Sequence, residues 1–132
     1  MAEFTFVPPG QKPCRATSGS AGYDLFSPVN INIPPHQQVI INTFVKIKLP
    51  AGQYAKLESR SSMTRQRIYV TGVIDSDYNK EIHVILHNNG ENNYTIQKNE
   101  RIAQLIIMSY FVCRDEEPIV NTREGGFGST GK

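Results

Sequence analysis

Turn-forming residues recur about every 8–12 positions along this chain, a spacing that leaves room for short strands and almost nothing else. Between the turns the apolar residues alternate. Val45, Ile47 and Leu49 are separated by Lys46 and Lys48, and Pro50-Ala51-Gly52 closes the run. Ile82, Val84 and Leu86 are separated by His83, Ile85 and His87 and stop at Asn88-Asn89-Gly90. A period of two puts one set of side chains on a core face and the other toward solvent. Residues 39–42 and 101–112 supply further runs rich in β-branched residues, while Pro34-Pro35 suits a loop or a strand edge. Only the stretch after Ser61, through Met63, Thr64 and Arg65, suits a helix, of a turn or two, with Ser61 or Ser62 as its N-cap. The pattern predicts an all-β jelly roll or related distorted β-barrel. Residues 1–120 are expected to form one barrel domain and residues 121–132 a glycine-rich C-terminal arm, with no internal repeat.

The charge balance narrows the function classes. Fourteen Lys and Arg against twelve Asp and Glu leave a formal net charge of +2, too even for nucleic-acid or membrane binding by bulk electrostatics. Cys14 and Cys113 lie near opposite ends without metal-like spacing, and read as free thiols in a reducing compartment. The first residues lack the basic start and apolar run of a signal peptide, and no stretch approaches the ~18 apolar residues of a membrane span. The expectation is therefore an intracellular protein, cytoplasmic or nuclear, with no membrane and no stable nucleic-acid partner. His83 and His87 fall on one strand face about 13 Å apart, too far for a zinc pair. No Gly-x-Ser-x-Gly elbow supports a serine hydrolase.

Five segments carry residues that a barrel does not need. The tail runs Glu124-Gly-Gly-Phe-Gly-Ser-Thr-Gly, with Phe127, Gly128, Ser129 and Thr130 at its centre. Such a sequence packs no core, but its glycines let successive N–H groups face an anion while Ser129 and Thr130 add donors and Phe127 offers a flat ring. The plain alternative is an unstructured terminus. In Gly72-Val73-Ile74-Asp75-Ser76-Asp77-Tyr78, Asp75 follows a buried strand, where partial desolvation would keep a carboxylate basic enough to take a proton from water. Tyr78 could pack against a sugar, or these residues are simply turn formers and a hairpin aromatic. Arg60, Ser61 and Ser62 open the short helix, where N–H groups and a guanidinium suit a phosphate, or else cap a surface helix with Arg60 solvated. Asp24, in Ala-Gly-Tyr-Asp-Leu, either orients a hydrated Mg²⁺ or points outward from an edge strand. Gln104, a lone amide in an apolar strand, requires a specific partner, either a backbone carbonyl or a phosphate oxygen.

In this order, AGYDL, SRSSM, GVIDSDY, RIAQL and GGFGSTG resemble the five motifs of the trimeric deoxyuridine triphosphatases (dUTPases), across nearly the whole chain. The resemblance implies a jelly-roll homotrimer whose three shared active sites cleave dUTP to dUMP and pyrophosphate, each completed by the arm of a neighbouring subunit. By the same resemblance, Asp75 is the base that activates water for attack on the α-phosphorus, and Tyr78 packs on deoxyribose and leaves no room for a 2′-hydroxyl. Arg60, Ser61, Ser62 and Gln104 correspond to the phosphate side. Asp24 corresponds to the carboxylate that holds water around Mg²⁺, the implied cofactor. The backbone of the hairpin around Gly72 to Tyr78, with Val73 and Ile74, reads uracil, Phe127 stacks on it, and Arg123, Gly128, Ser129 and Thr130 belong to the phosphate-binding arm.

The likeness has departures. The family's arm carries Arg five residues before the aromatic, whereas Arg123 stands four before Phe127, with Thr122 in the usual slot. The usual Asp-Tyr-x-Gly is Asp77-Tyr78-Asn79-Lys80. Two other readings share the fold: a non-catalytic dUTPase-like interaction protein, and a dCTP deaminase, which would need an acid–base carboxylate at the base, with Glu81 the available residue.

Overall fold

The computed structural model describes residues 1–123. Ten strands and one short helix follow in the order β1 (Glu3–Phe6), β2 (Gly22–Phe26), β3 (Ile31–Ile33), β4 (Gln38–Asn42), β5 (Val45–Lys48), β6 (Gln53–Glu58), α1 (Ser61–Thr64), β7 (Ile68–Ile74), β8 (His83–Asn88), β9 (Tyr94–Ile96) and β10 (Arg101–Ser109). The main sheet has the order β2-β10-β6-β7-β8-β4, and the pairs β1-β5 and β3-β9 complete the wall. Every pairing is antiparallel.

The sheet curls at β7. Its first residues, Ile68 to Val70, pair with Asn88 to Leu86 of β8, while Thr71 to Ile74 pair with Glu58 to Ala55 of β6. One strand thus belongs to two walls of a half-barrel, and its inward side chains Ile68, Val70 and Ile74 join the buried core with Leu57, Val84, Leu86 and Leu105. The alternation of the sequence is realised directly: Val45, Ile47 and Leu49 are buried and Lys46 and Lys48 exposed, and Ile82, Val84 and Leu86 are buried. The turn after β5 depends on Gly52 at φ +88°, a backbone conformation that disfavours a side chain.

Two expectations are corrected. The run at 101–112 ends as a strand at Ser109, opposite Gln53. The 50–52 turn ends β6 there, so residues beyond Tyr110 lose their hydrogen-bonding neighbour, and Phe111 is 95% exposed. The N-cap of α1 is Arg60, without a side-chain capping bond, not Ser61 or Ser62. The expected free thiols, Cys14 and Cys113, are both exposed. No described helix is long and apolar enough to cross a membrane.

Candidate active site

Register brings the first group of residues together. In β10, Gln104 lies opposite Asp24 of β2 on one side and Glu58 of β6 on the other. The chain leaving β6 then supplies Ser59, Arg60 and Ser61. Ser59 is held against β7, its hydroxyl accepting the Val70 N–H at 2.7 Å. Gly22, Asp24, Arg60, Ser61 and Gln104 consequently line one pocket of about 310 Å³.

Gln104 donates its amide to the Ser59 carbonyl at 3.1 Å, so the backbone partner is the one realised in this chain. Its amide oxygen lies so near Gly22 that a Cβ there would come within 2.6 Å of it. Asp24 is mostly shielded, with 15% side-chain exposure, and accepts from Arg101 Nε at 3.0 Å while Arg60 Nε stands 4.0 Å from its other oxygen. Arg101 reaches it because a bulge separates Arg101 from Ala103 in the β2–β10 register. Asp24 is thus held between two guanidinium groups, of which Arg60 lines the pocket, so its negative charge is offset on that wall.

The second group sits at the end of β7. Tyr78 N–H closes a turn on the Asp75 carbonyl at 3.1 Å. Arg123 bridges the two aspartates of this turn, donating from Nη2 to Asp75 Oδ2 at 2.5 Å and from Nε to Asp77 Oδ1 at 2.8 Å. The Asp77 hydrogen bond is the leading cause that holds the Arg123 guanidinium more firmly charged. Asp75, Asp77, Arg123 and the exposed Val73 border a hollow of about 640 Å³ together with Tyr54 and Tyr110. Tyr78 faces a neighbouring hollow of about 420 Å³, against Lys46 and Lys48 of β5. Burial pushes the Tyr78 phenol above its ordinary value, opposed by the Arg123 charge.

Among the described residues the two hollows share no lining residue. The desolvation expected at Asp75 is likewise not supplied by the single chain, where its side chain is 57% exposed. Of the hairpin residues, Ile74 points into the core, and Gly72 packs on Leu57, leaving Val73 outward. Ser62 is half-buried and its carbonyl accepts from Gln66. Phe127, Gly128, Ser129 and Thr130 lie outside the described residues. Sequence reasoning missed Arg101 and Ser59. Arg101 had only its place in RIAQL to mark it, and nothing local says that it faces Asp24.

The family model for dUTPase matches residues 9–131. The chain belongs to the dUTPase family. It is similar to the deoxyuridine 5′-triphosphate nucleotidohydrolase of Candida albicans, 36% identical over 95% of this chain and 84% of that one. The protein of the same name from Paramecium bursaria Chlorella virus 1 is 36% identical over 90% of this chain and 89% of its own. Among solved structures, native EIAV dUTPase superposes with a TM-score of 0.79 at 30% identity, covering 94% of this chain and 100% of that one. The half-barrel with one short helix is therefore a dUTPase fold, and the first four motifs fall where the curled sheet places them; the fifth lies outside the described residues.

Proposed function

We propose that this chain hydrolyses dUTP to dUMP and pyrophosphate in a homotrimer whose sites are shared between subunits. The observation that carries the reading is the register that gathers Asp24, Gln104, Arg60 and Ser61 into one polar pocket while Asp75 and Tyr78 stand apart on a hairpin. Family membership supplies the substrate. The separation of the two half-sites supports assembly, because a nucleotide spanning base to phosphate needs both.

In this reading Asp75 takes a proton from the water that attacks the α-phosphorus, a role worth about 10²–10⁴ in rate. Arg123 neutralises Asp75 in the isolated chain, and triphosphate oxygens would compete for that guanidinium and release the carboxylate. Arg60, Ser61, Ser62 and Gln104 offset phosphate charge, which is most of phosphoryl-transfer catalysis. Tyr78 packs on deoxyribose, and the Gly72–Val73–Ile74 backbone reads uracil. The arm of residues 121–132 closes over a neighbouring site through Phe127, Gly128, Ser129 and Thr130.

The residues fit Mg²⁺ in one way only. Among the described residues no cluster of three His, Cys, Asp or Glu could hold a metal directly. A single shielded Asp24 suits a hydrated ion carried mainly by the triphosphate, touched through water. Bound there, the ion would supply charge neutralisation. The deaminase alternative is not favoured, because Glu81 is engaged: its carboxylate accepts from Asn42 at 3.0 Å.

The test is pyrophosphate release from dUTP with Mg²⁺, beside dCTP, dTTP and UTP, with products separated by chromatography. Fast conversion of dUTP alone to dUMP is expected. No turnover by the folded protein, or ammonia from dCTP, would overturn the reading.

A further inference from the structure

The hairpin that carries Tyr78 is tied down at a point that the five motifs do not include. Tyr78 donates its hydroxyl to the Glu81 carbonyl at 2.8 Å, and His83 Nδ1 meets the same carbonyl at 2.9 Å. The Glu81 carboxylate in turn accepts from Asn42 Nδ2 at 3.0 Å. Asn42 is the last residue of β4, opposite His83 in the β4–β8 register. Its other side-chain atom is also occupied, Oδ1 accepting the Phe44 N–H at 2.8 Å. That bond holds a tight turn in which Phe44 takes φ 58°, unusual for an aromatic residue.

Beneath this pair the contact is buried and rigid. Thr43 donates both its N–H and its hydroxyl to the Ile82 carbonyl, at 3.0 and 2.7 Å, and Ile82 N–H donates to Val45 at 2.7 Å. The 81–82 peptide plane is thus held on its N–H edge by Val45. That one bond leaves the plane free to turn about it; the carbonyl edge takes the Tyr78 hydroxyl and His83 Nδ1, and the Glu81 side chain is tied to Asn42. Asn42, Glu81 and Tyr78 are all half-buried, so water competes only partly for these bonds.

We infer that Asn42 is a positioning residue for Tyr78, acting through Glu81, and a determinant of discrimination against 2′-hydroxylated nucleotides. The inference rests on the reading of Tyr78 as the ring packed on deoxyribose. A ring that excludes one oxygen atom must be held to a fraction of an ångström, and the hydroxyl bond to Glu81 holds its outer end while the ring packs against the core. Loosening Glu81 lets the ring retreat and opens space for a ribose.

Asn42→Asp separates this role from a purely structural one. It retains an oxygen for the Phe44 N–H, removes the donor to Glu81 and sets a second carboxylate against the Glu81 carboxylate, which drives that side chain away. Steady-state kcat/KM for dUTP and UTP is measured on the full chain. Asn42→Asp is expected to raise relative UTP use about ten-fold, the scale of one hydrogen bond to a charged group. Glu81→Gln in the Asn42→Asp background reinstates a donor–acceptor pair with the roles reversed, and should restore discrimination. In a Tyr78→Phe background Asn42→Asp should add nothing further, because the bond it supports is already gone. An unchanged UTP/dUTP ratio in Asn42→Asp, or additive effects with Tyr78→Phe, overturns the inference. A Tyr78→Ala chain with unaltered discrimination overturns the reading of Tyr78 itself, so the two failures are distinguishable.

Discussion

Gly22→Ala is a small change with a calculable consequence at the proposed phosphate pocket. An added Cβ would lie 2.6 Å from Gln104 Oε1 and 3.1 Å from Gln104 Cβ. The first contact could be relieved by swinging the amide, but the amide is engaged with the Ser59 carbonyl at 3.1 Å. Losing that bond costs about 1 kcal/mol. The second contact involves an atom fixed to the β10 backbone, so β2 and β10 must separate slightly, an overpacking cost of about 1 kcal/mol at the low end of its range. The sum, about 2 kcal/mol, corresponds to a fall of roughly 8 °C in melting temperature for a domain of this size. Because the amide is lifted from its place beside Arg60 and Ser61, kcat/KM for dUTP should fall together with stability, by about ten-fold if one hydrogen bond to phosphate is lost. Thermal unfolding and initial-rate kinetics measure the two effects. Gly19→Ala is the control, since a Cβ there meets nothing within 4 Å and should cost neither stability nor rate. A Gly22→Ala protein that melts and turns over like the parent would refute the reasoning.

Asp75→Asn should keep nucleotide binding, read by calorimetry, and lower turnover by about 10²–10⁴; unchanged turnover removes Asp75 as the base. Truncation after Arg123 should leave the fold, checked by circular dichroism, and hydrolyse dUTP poorly; full activity would mean that the arm takes no part in catalysis. Asn88→Ala tests the core rather than the site. Asn88 is 1% exposed and bonds the Ile33 and Asn92 carbonyls and the Gly90 N–H. Its loss should cost about 3 kcal/mol in denaturant unfolding, because the buried partners are left unsatisfied. A cost near zero would show that water replaces the amide.

Local pattern decided much of this molecule. The alternation at Val45, Ile47 and Leu49 and at Ile82, Val84 and Leu86 determines which side chains are buried, because a strand has a period of two whatever its neighbours are. The same pattern announced the brevity of α1, since no apolar period of 3.6 exists to sustain a longer helix. The proposed site residues Asp24, Arg60, Ser61, Asp75, Tyr78 and Gln104 were legible as polar groups that a barrel does not require. The end of β10 was not, because a strand stops where its partner stops and apolar residues alone continue past that point.

What only the tertiary structure decided is which of these groups meet. Arg101 reaches Asp24 across 77 positions through a bulge, and Asn42 reaches Glu81 across 39. Both depend on strand order and register, which are set by the whole sheet and leave no mark on either segment. The division of the site residues between two separate pockets has the same origin. The chain contains the chemistry, and the curl of the sheet at β7 distributes it, because burying a continuous apolar face takes precedence over bringing polar residues of distant segments together.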